Sequence, residues 1–145
     1  MERIKRVVFV FLLSCVMFPL SALCEEADGS NACDYDWTPV MEAIIEVESG
    51  GNSRAVSGNS AGVMQITPVL VEQCNIIMKR RKIKKRYRLS DRFSVAKSKE
   101  MFLLIQSYFN PTNNVEKAIR MWDGGLHYNL KRTQRYFERV MSKLN

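Results

Sequence analysis

The chain has 145 residues, of which 46% are hydrophobic and 26% charged, an ordinary globular composition for one domain that excludes a fibrous or wholly disordered protein. Lys and Arg number 22 against 15 Asp and Glu, a formal charge of +7, which suits an anionic partner such as nucleic acid, a membrane surface or an acidic polymer without choosing among them. With His127 as the sole histidine and no closely paired cysteines, neither a metal centre nor a Ser/His nucleophile is expected.

Residues 1–24 have the layout of a secretory signal. Arg3, Lys5 and Arg6 precede an apolar run from Val7 to Leu20, and Ser21-Ala22-Leu23-Cys24 supplies a small-residue exit before Glu25-Glu26. The run is shorter than the ~20 residues that span a bilayer, so export with cleavage is expected, followed by a periplasmic or cell-envelope location and no lasting membrane span. Removal of residues 1–24 leaves 19 basic and 14 acidic residues, still a basic chain. Lipid modification at Cys24 is the less favoured reading, because bulky Leu23 precedes it. Cys33 and Cys74 remain as a candidate disulfide pair that spacing alone does not establish.

Residues 25–36 are acidic and small, without periodicity, and read as a linker to a domain over 37–145. Thr38-Pro39 is expected to open a helix, with threonine as cap and proline at the first position. Val40, Met41, Ile44 and Ile45 form its apolar stripe. At about 100° per residue from Met41, Glu48 falls near 340°, close to Ile44 at about 300° and Ile45 at about 40°, whereas Glu42 and Glu46 fall near 100° and 140°. Glu48 is therefore the one glutamate aimed inward. Burial disfavours a carboxylate's charge and raises its pKa toward the range of a proton donor. Ser49-Gly50-Gly51 ends the helix at once, which puts this carboxyl at an edge where a cleft can open.

Turn-forming residues fill 52–61, and Thr67-Pro68 repeats the cap-and-proline start before a second helix with Leu70, Cys74, Ile77 and Met78 on one side. Residues 79–88 hold eight basic residues in ten, with Tyr87 among them. The run reads as a solvated helix end and loop in preference to a nucleic-acid site, with attraction of an anionic polymer as an intermediate reading. A further helix is expected from Phe93 to Phe109 with Ala96, Met101, Phe102, Leu104 and Ile105 on its apolar face. Asn113 and Glu116 resemble a capping box before Val115, Ala118, Ile119 and Trp122, and Gly124-Gly125 closes that helix. The last helix carries Leu130, Thr133, Phe137, Val140, Met141 and Leu144 at steps of three and four. No alternating strand pattern stands out.

Three motifs in order, Glu48-Ser49-Gly50-Gly51 with Ser57, Gly62-Val63-Met64-Gln65-Ile66, and Ala118-Ile119-Arg120-Met121-Trp122-Asp123-Gly124-Gly125, resemble the soluble lytic transglycosylase domain of the lysozyme-like superfamily over about Trp37 to Met141. The resemblance implies a mainly α, two-lobed domain with a substrate cleft. It also implies cleavage of the β-1,4 bond between N-acetylmuramic acid and N-acetylglucosamine in peptidoglycan, without a cofactor. In that chemistry one glutamate, here Glu48, serves as acid and then as base, and a 1,6-anhydro sugar forms. Ser57, Gly62, Met64 and Gln65 would line the cleft, and Tyr136 resembles a late family tyrosine beside it. Trp122-Asp123 departs from the family's more usual tyrosine and asparagine. Trp122 offers a ring for stacking on a sugar, and Asp123 a second carboxylate that would raise the pKa of Glu48 or recruit a water. A hydrolytic muramidase and a catalytically weak wall-binding or assembly module are the competing expectations. A monomer acting on glycan strands is expected, with a secretion or conjugation assembly as a further partner and no nucleic acid.

Overall fold

The structure, a computed structural model, describes residues 35–144. The signal, most of the linker, Cys24 and Cys33 lie outside the described residues. The described residues form one compact unit. Its elements are α1 (Thr38–Ser49), a two-strand hairpin of β1 (Val56–Ser57) and β2 (Ser60–Ala61), α2 (Pro68–Arg80), a 3-10 helix (Leu89–Phe93), α3 (Val95–Phe109), α4 (Val115–Gly124) and α5 (Leu130–Leu144). This is the mainly helical architecture expected from the apolar periodicities. Among the described residues no helix is long and apolar enough to cross a membrane.

One core holds the helices together. Ile44, Met64, Ile77, Met101, Phe102 and Ile119 are fully buried within it, each such side chain stabilising the fold by roughly 1.5–3 kcal/mol of transfer free energy. Trp37 packs edge-on against Phe102, which ties the start of α1 to the core. Cys74 is buried and has no disulfide partner among the described residues, and desolvation pushes its thiol pKa up to about 12.

Several local expectations are corrected. Thr38 does not cap α1: Trp37 occupies the cap position, and the Thr38 amide donates to Asp36 Oδ1 at 2.9 Å. Thr67 does cap α2, its hydroxyl oxygen accepting from the Leu70 amide. The segment expected to run as one helix from Phe93 is divided, because Ser94 caps α3 separately and Ala96 is exposed. The cap of α4 is Asn114, one residue later than expected. Asn113 takes a positive φ of 52° in the preceding turn, and the Asn114 side chain accepts from the Lys117 amide at 2.8 Å. Leu130 is exposed, leaving Thr133 and Val140 as the buried residues of α5. The hairpin has only two residues per strand, too few for an alternating pattern.

Candidate active site

The C-terminal turn of α1 carries Glu48 and ends where Gly50 enters the left-handed region at φ 58°, its amide donating to the Glu46 carbonyl. Glu42 and Glu46 are exposed while Glu48 is partly buried, as helical phase requires. Across the fold α5 brings Tyr136, whose hydroxyl donates to Glu48 Oε1 at 2.7 Å. Oε2 has no hydrogen-bond partner among the described residues, which leaves it free to address a ligand. Burial raises the pKa of Glu48, the Tyr136 hydrogen bond lowers it, the charge of Asp123 raises it and that of Arg139 lowers it, with burial the largest effect. The carboxyl thus keeps its proton to higher pH than an exposed glutamate. Tyr136 is itself pushed strongly upward, first by burial and then by the adjacent Glu48, so it remains a neutral donor.

Asp123, at the end of α4, is exposed, yet its pKa is raised by partial desolvation and drawn back by Arg132. It lies near enough to influence both Glu48 and Tyr136 electrostatically. Arg139 donates from Nη2 to the Val47 carbonyl at 3.1 Å, which sets a cation beside the end of α1.

The segment 62–66 is fastened from three directions. Ser49 Oγ donates to the Val63 carbonyl at 2.8 Å, Trp122 Nε1 donates to the Met64 carbonyl at 3.2 Å, and Arg92 Nη1 donates to the carbonyls of Asn59 and Ile66. Gly62 is required sterically: φ is +80°, and a Cβ would lie 1.7 Å from the Arg92 carbonyl oxygen. Gln65, at φ 48°, turns its amide nitrogen onto the Gly62 and Ala55 carbonyls. Two expectations for this loop change accordingly. Met64 is fully buried, so its side chain belongs to the core and not to a cleft floor, and the Gln65 amide nitrogen is spent on its own loop. Ser57 is exposed on β1.

Trp122 is partly buried, with its ring 5.2 Å from that of Phe102 and its N–H given to Met64. The exposed part borders an apolar groove with Val69, Leu70 and Leu126. Arg120 is only 4% exposed and clamps α4 to α5. Its guanidinium donates to Glu116 within its own helix, and to the Leu130 carbonyl, Thr133 Oγ1 and Gln134 Oε1 of α5, while lying 4.4 Å over the Phe137 ring.

The family model of the transglycosylase SLT domain matches residues 30–142. The chain belongs to the SLT transglycosylase family. The matched span includes every described element that builds the site, from Glu48 on α1 to Tyr136 on α5. No curated protein and no solved structure matches the chain. SLT domains belong to the lysozyme-like superfamily and are glycan-cleaving transglycosylase domains that bind peptidoglycan strands. Within this SLT domain the residues whose roles sequence reading missed are Arg120, Arg139, Arg92 and Ser49 as loop fasteners and clamps. Arg120 and Ser49 stood inside the quoted motifs; Arg92 and Arg139 carried no signal.

Proposed function

We propose that the chain is an exported peptidoglycan lytic transglycosylase with Glu48 as its single acid/base. The observation that carries this reading is the Glu48 carboxyl itself, partly buried at a helix end, raised in pKa, held at Oε1 by Tyr136 and open at Oε2. In the first step the protonated carboxyl donates to the glycosidic oxygen between N-acetylmuramic acid and N-acetylglucosamine, while the substrate's acetamido group assists departure. The resulting carboxylate then takes the proton of the muramoyl 6-hydroxyl, whose oxygen attacks the anomeric carbon and closes the 1,6-anhydro ring. No water is consumed, and the glutamate ends protonated as it began. Each such proton transfer contributes about 10²–10⁴-fold.

Ser57 and the exposed part of Trp122 are proposed as sugar contacts, and Gly62 and Gln65 as the residues that fix the loop beside them. The basic signal and the layout of residues 1–24 support a periplasmic or envelope location, where the chain opens the wall locally, alone or for a secretion or conjugation assembly. Asp123 favours a second reading, hydrolysis. A carboxylate close enough to influence Glu48 offers a base for a water, the arrangement that two-carboxylate glycosidases use. Incubation of the protein with purified peptidoglycan tests the proposal. Soluble muropeptides are expected from the native chain and none from Glu48→Gln; equal release by both would remove Glu48 from the chemistry.

A further inference from the structure

The basic run is the largest charge feature of the molecule and takes no part in the candidate active site. Eight of its ten residues, 79–88, are cationic, while the other residues from Glu25 onward comprise 11 basic and 14 acidic. The positive charge of the mature chain therefore resides in this one segment, and the remainder is net acidic.

The segment is built to keep that charge uncompensated. Residues 79–86 are exposed without a break, at the end of α2 and the turn beyond it. Its arginines are held by neutral acceptors: Arg80 donates to the Tyr108 hydroxyl, Arg81 to the Ser107 carbonyl, and Arg86 to the carbonyls of Ile83 and Lys85. Lys85 alone has a carboxylate partner, Glu100. The side chains of Lys79, Lys82 and Lys84 have no hydrogen bond or ion pair among the described residues. The far end is pinned, since the Asn75 side chain donates to the Tyr87 carbonyl and accepts from the Tyr87 amide, at 3.0 and 2.8 Å.

Tyr87 is 5% exposed and Tyr108 is already covered by Arg81, which leaves no free aromatic ring among residues 79–88 to stack on a base and argues against single-stranded nucleic acid. At the tip, Ile83 is 40% exposed between Lys82 and Lys84. An apolar side chain among lysines matches an interface where cations meet phosphates and a hydrocarbon boundary lies just beneath.

We propose that residues 79–86 form a docking surface for an anionic phospholipid membrane. The inference rests on the charge distribution and is independent of the glycan-cleaving reading. Co-sedimentation tests it with the chain from Glu25 onward, so that the apolar residues 1–24 contribute nothing, and vesicles of phosphatidylcholine with or without phosphatidylglycerol. Binding is expected only to the anionic vesicles, and is expected to weaken as salt screens the surface. Each lost cation weakens such binding about five-fold, so the variant Lys79→Gln, Lys82→Gln, Lys84→Gln is expected to bind on the order of 100-fold more weakly. Its circular dichroism should stay native, because these side chains hold nothing else. Native binding by the triple variant, equal binding to neutral vesicles, or tighter binding to duplex DNA than to anionic vesicles would each overturn the proposal.

Discussion

Glu48 is governed by opposing neighbours, and this gives its chemistry a pH signature. Loss of the Tyr136 hydrogen bond in Tyr136→Phe removes a group that favours the carboxylate, so the alkaline limb of the kcat/KM profile should move to higher pH. The rate should also fall about 10–100-fold, the worth of a hydrogen bond to a charged group. Asp123→Asn removes a charge that raises the Glu48 pKa, so the same limb should move to lower pH. Shifts in the same direction, measured on muropeptide release, would contradict this account of the site. Glu48 also costs stability. Its native pKa is raised above the ordinary 4.5, so the folded state holds a proton the unfolded state has released, and stability falls as pH rises from the ordinary value through the native one. Glu48→Gln escapes that loss: thermal melts should show it more stable than the native chain at pH 7, with the difference vanishing in acid. At this scale the sequence was informative about Glu48, since helical phase is a local property. Tyr136, 88 positions away, was marked beside the cleft only by the family resemblance, because no local pattern encodes its contact with Glu48.

Elements position the site through a few fasteners. The loop 62–66 depends on a glycine that admits the Arg92 carbonyl, and Gly62→Ala is expected to lose about 3–5 kcal/mol in urea unfolding, through a backbone clash and a strained positive φ. The register of α5, and with it the position of Tyr136, depends on Arg120. Arg120→Met would remove the guanidinium's bonds to Glu116, the Leu130 carbonyl, Thr133 Oγ1 and Gln134 Oε1 and is expected to cost about 2–4 kcal/mol. Arg120→Lys should recover only part of this, because an ammonium cannot span the same fork. The helices were legible because apolar spacing marks their inward faces, and the Thr67 cap followed from its proline. The α4 cap slipped by one because two asparagines compete there and Asn113 is taken by the turn, which leaves Glu116 to pair with Arg120. Trp122 was read as a ring for stacking on a sugar; its N–H holds the Met64 carbonyl and its ring leans on Phe102, which leaves only its exposed part for that role. Sequence showed its position but not which face the fold would spend.

At the scale of the molecule, the five α-helices of the described residues pack around one core and bring α1, α4 and α5 together, so that Glu48, Asp123 and Tyr136 influence one another. The family's motif order made that convergence predictable, and the departures at Trp122-Asp123 made its product the open chemical choice. Glu48 is proposed to serve alone as acid and base, with the muramoyl 6-hydroxyl and not water as the nucleophile. Mass spectrometry of muropeptides released in ¹⁸O-labelled water distinguishes the two. Unlabelled products are expected, each lighter by one water than its hydrolytic counterpart and ending in 1,6-anhydro-N-acetylmuramic acid. Reducing ends that carry the label would contradict this proposal and assign Asp123 the activation of a water.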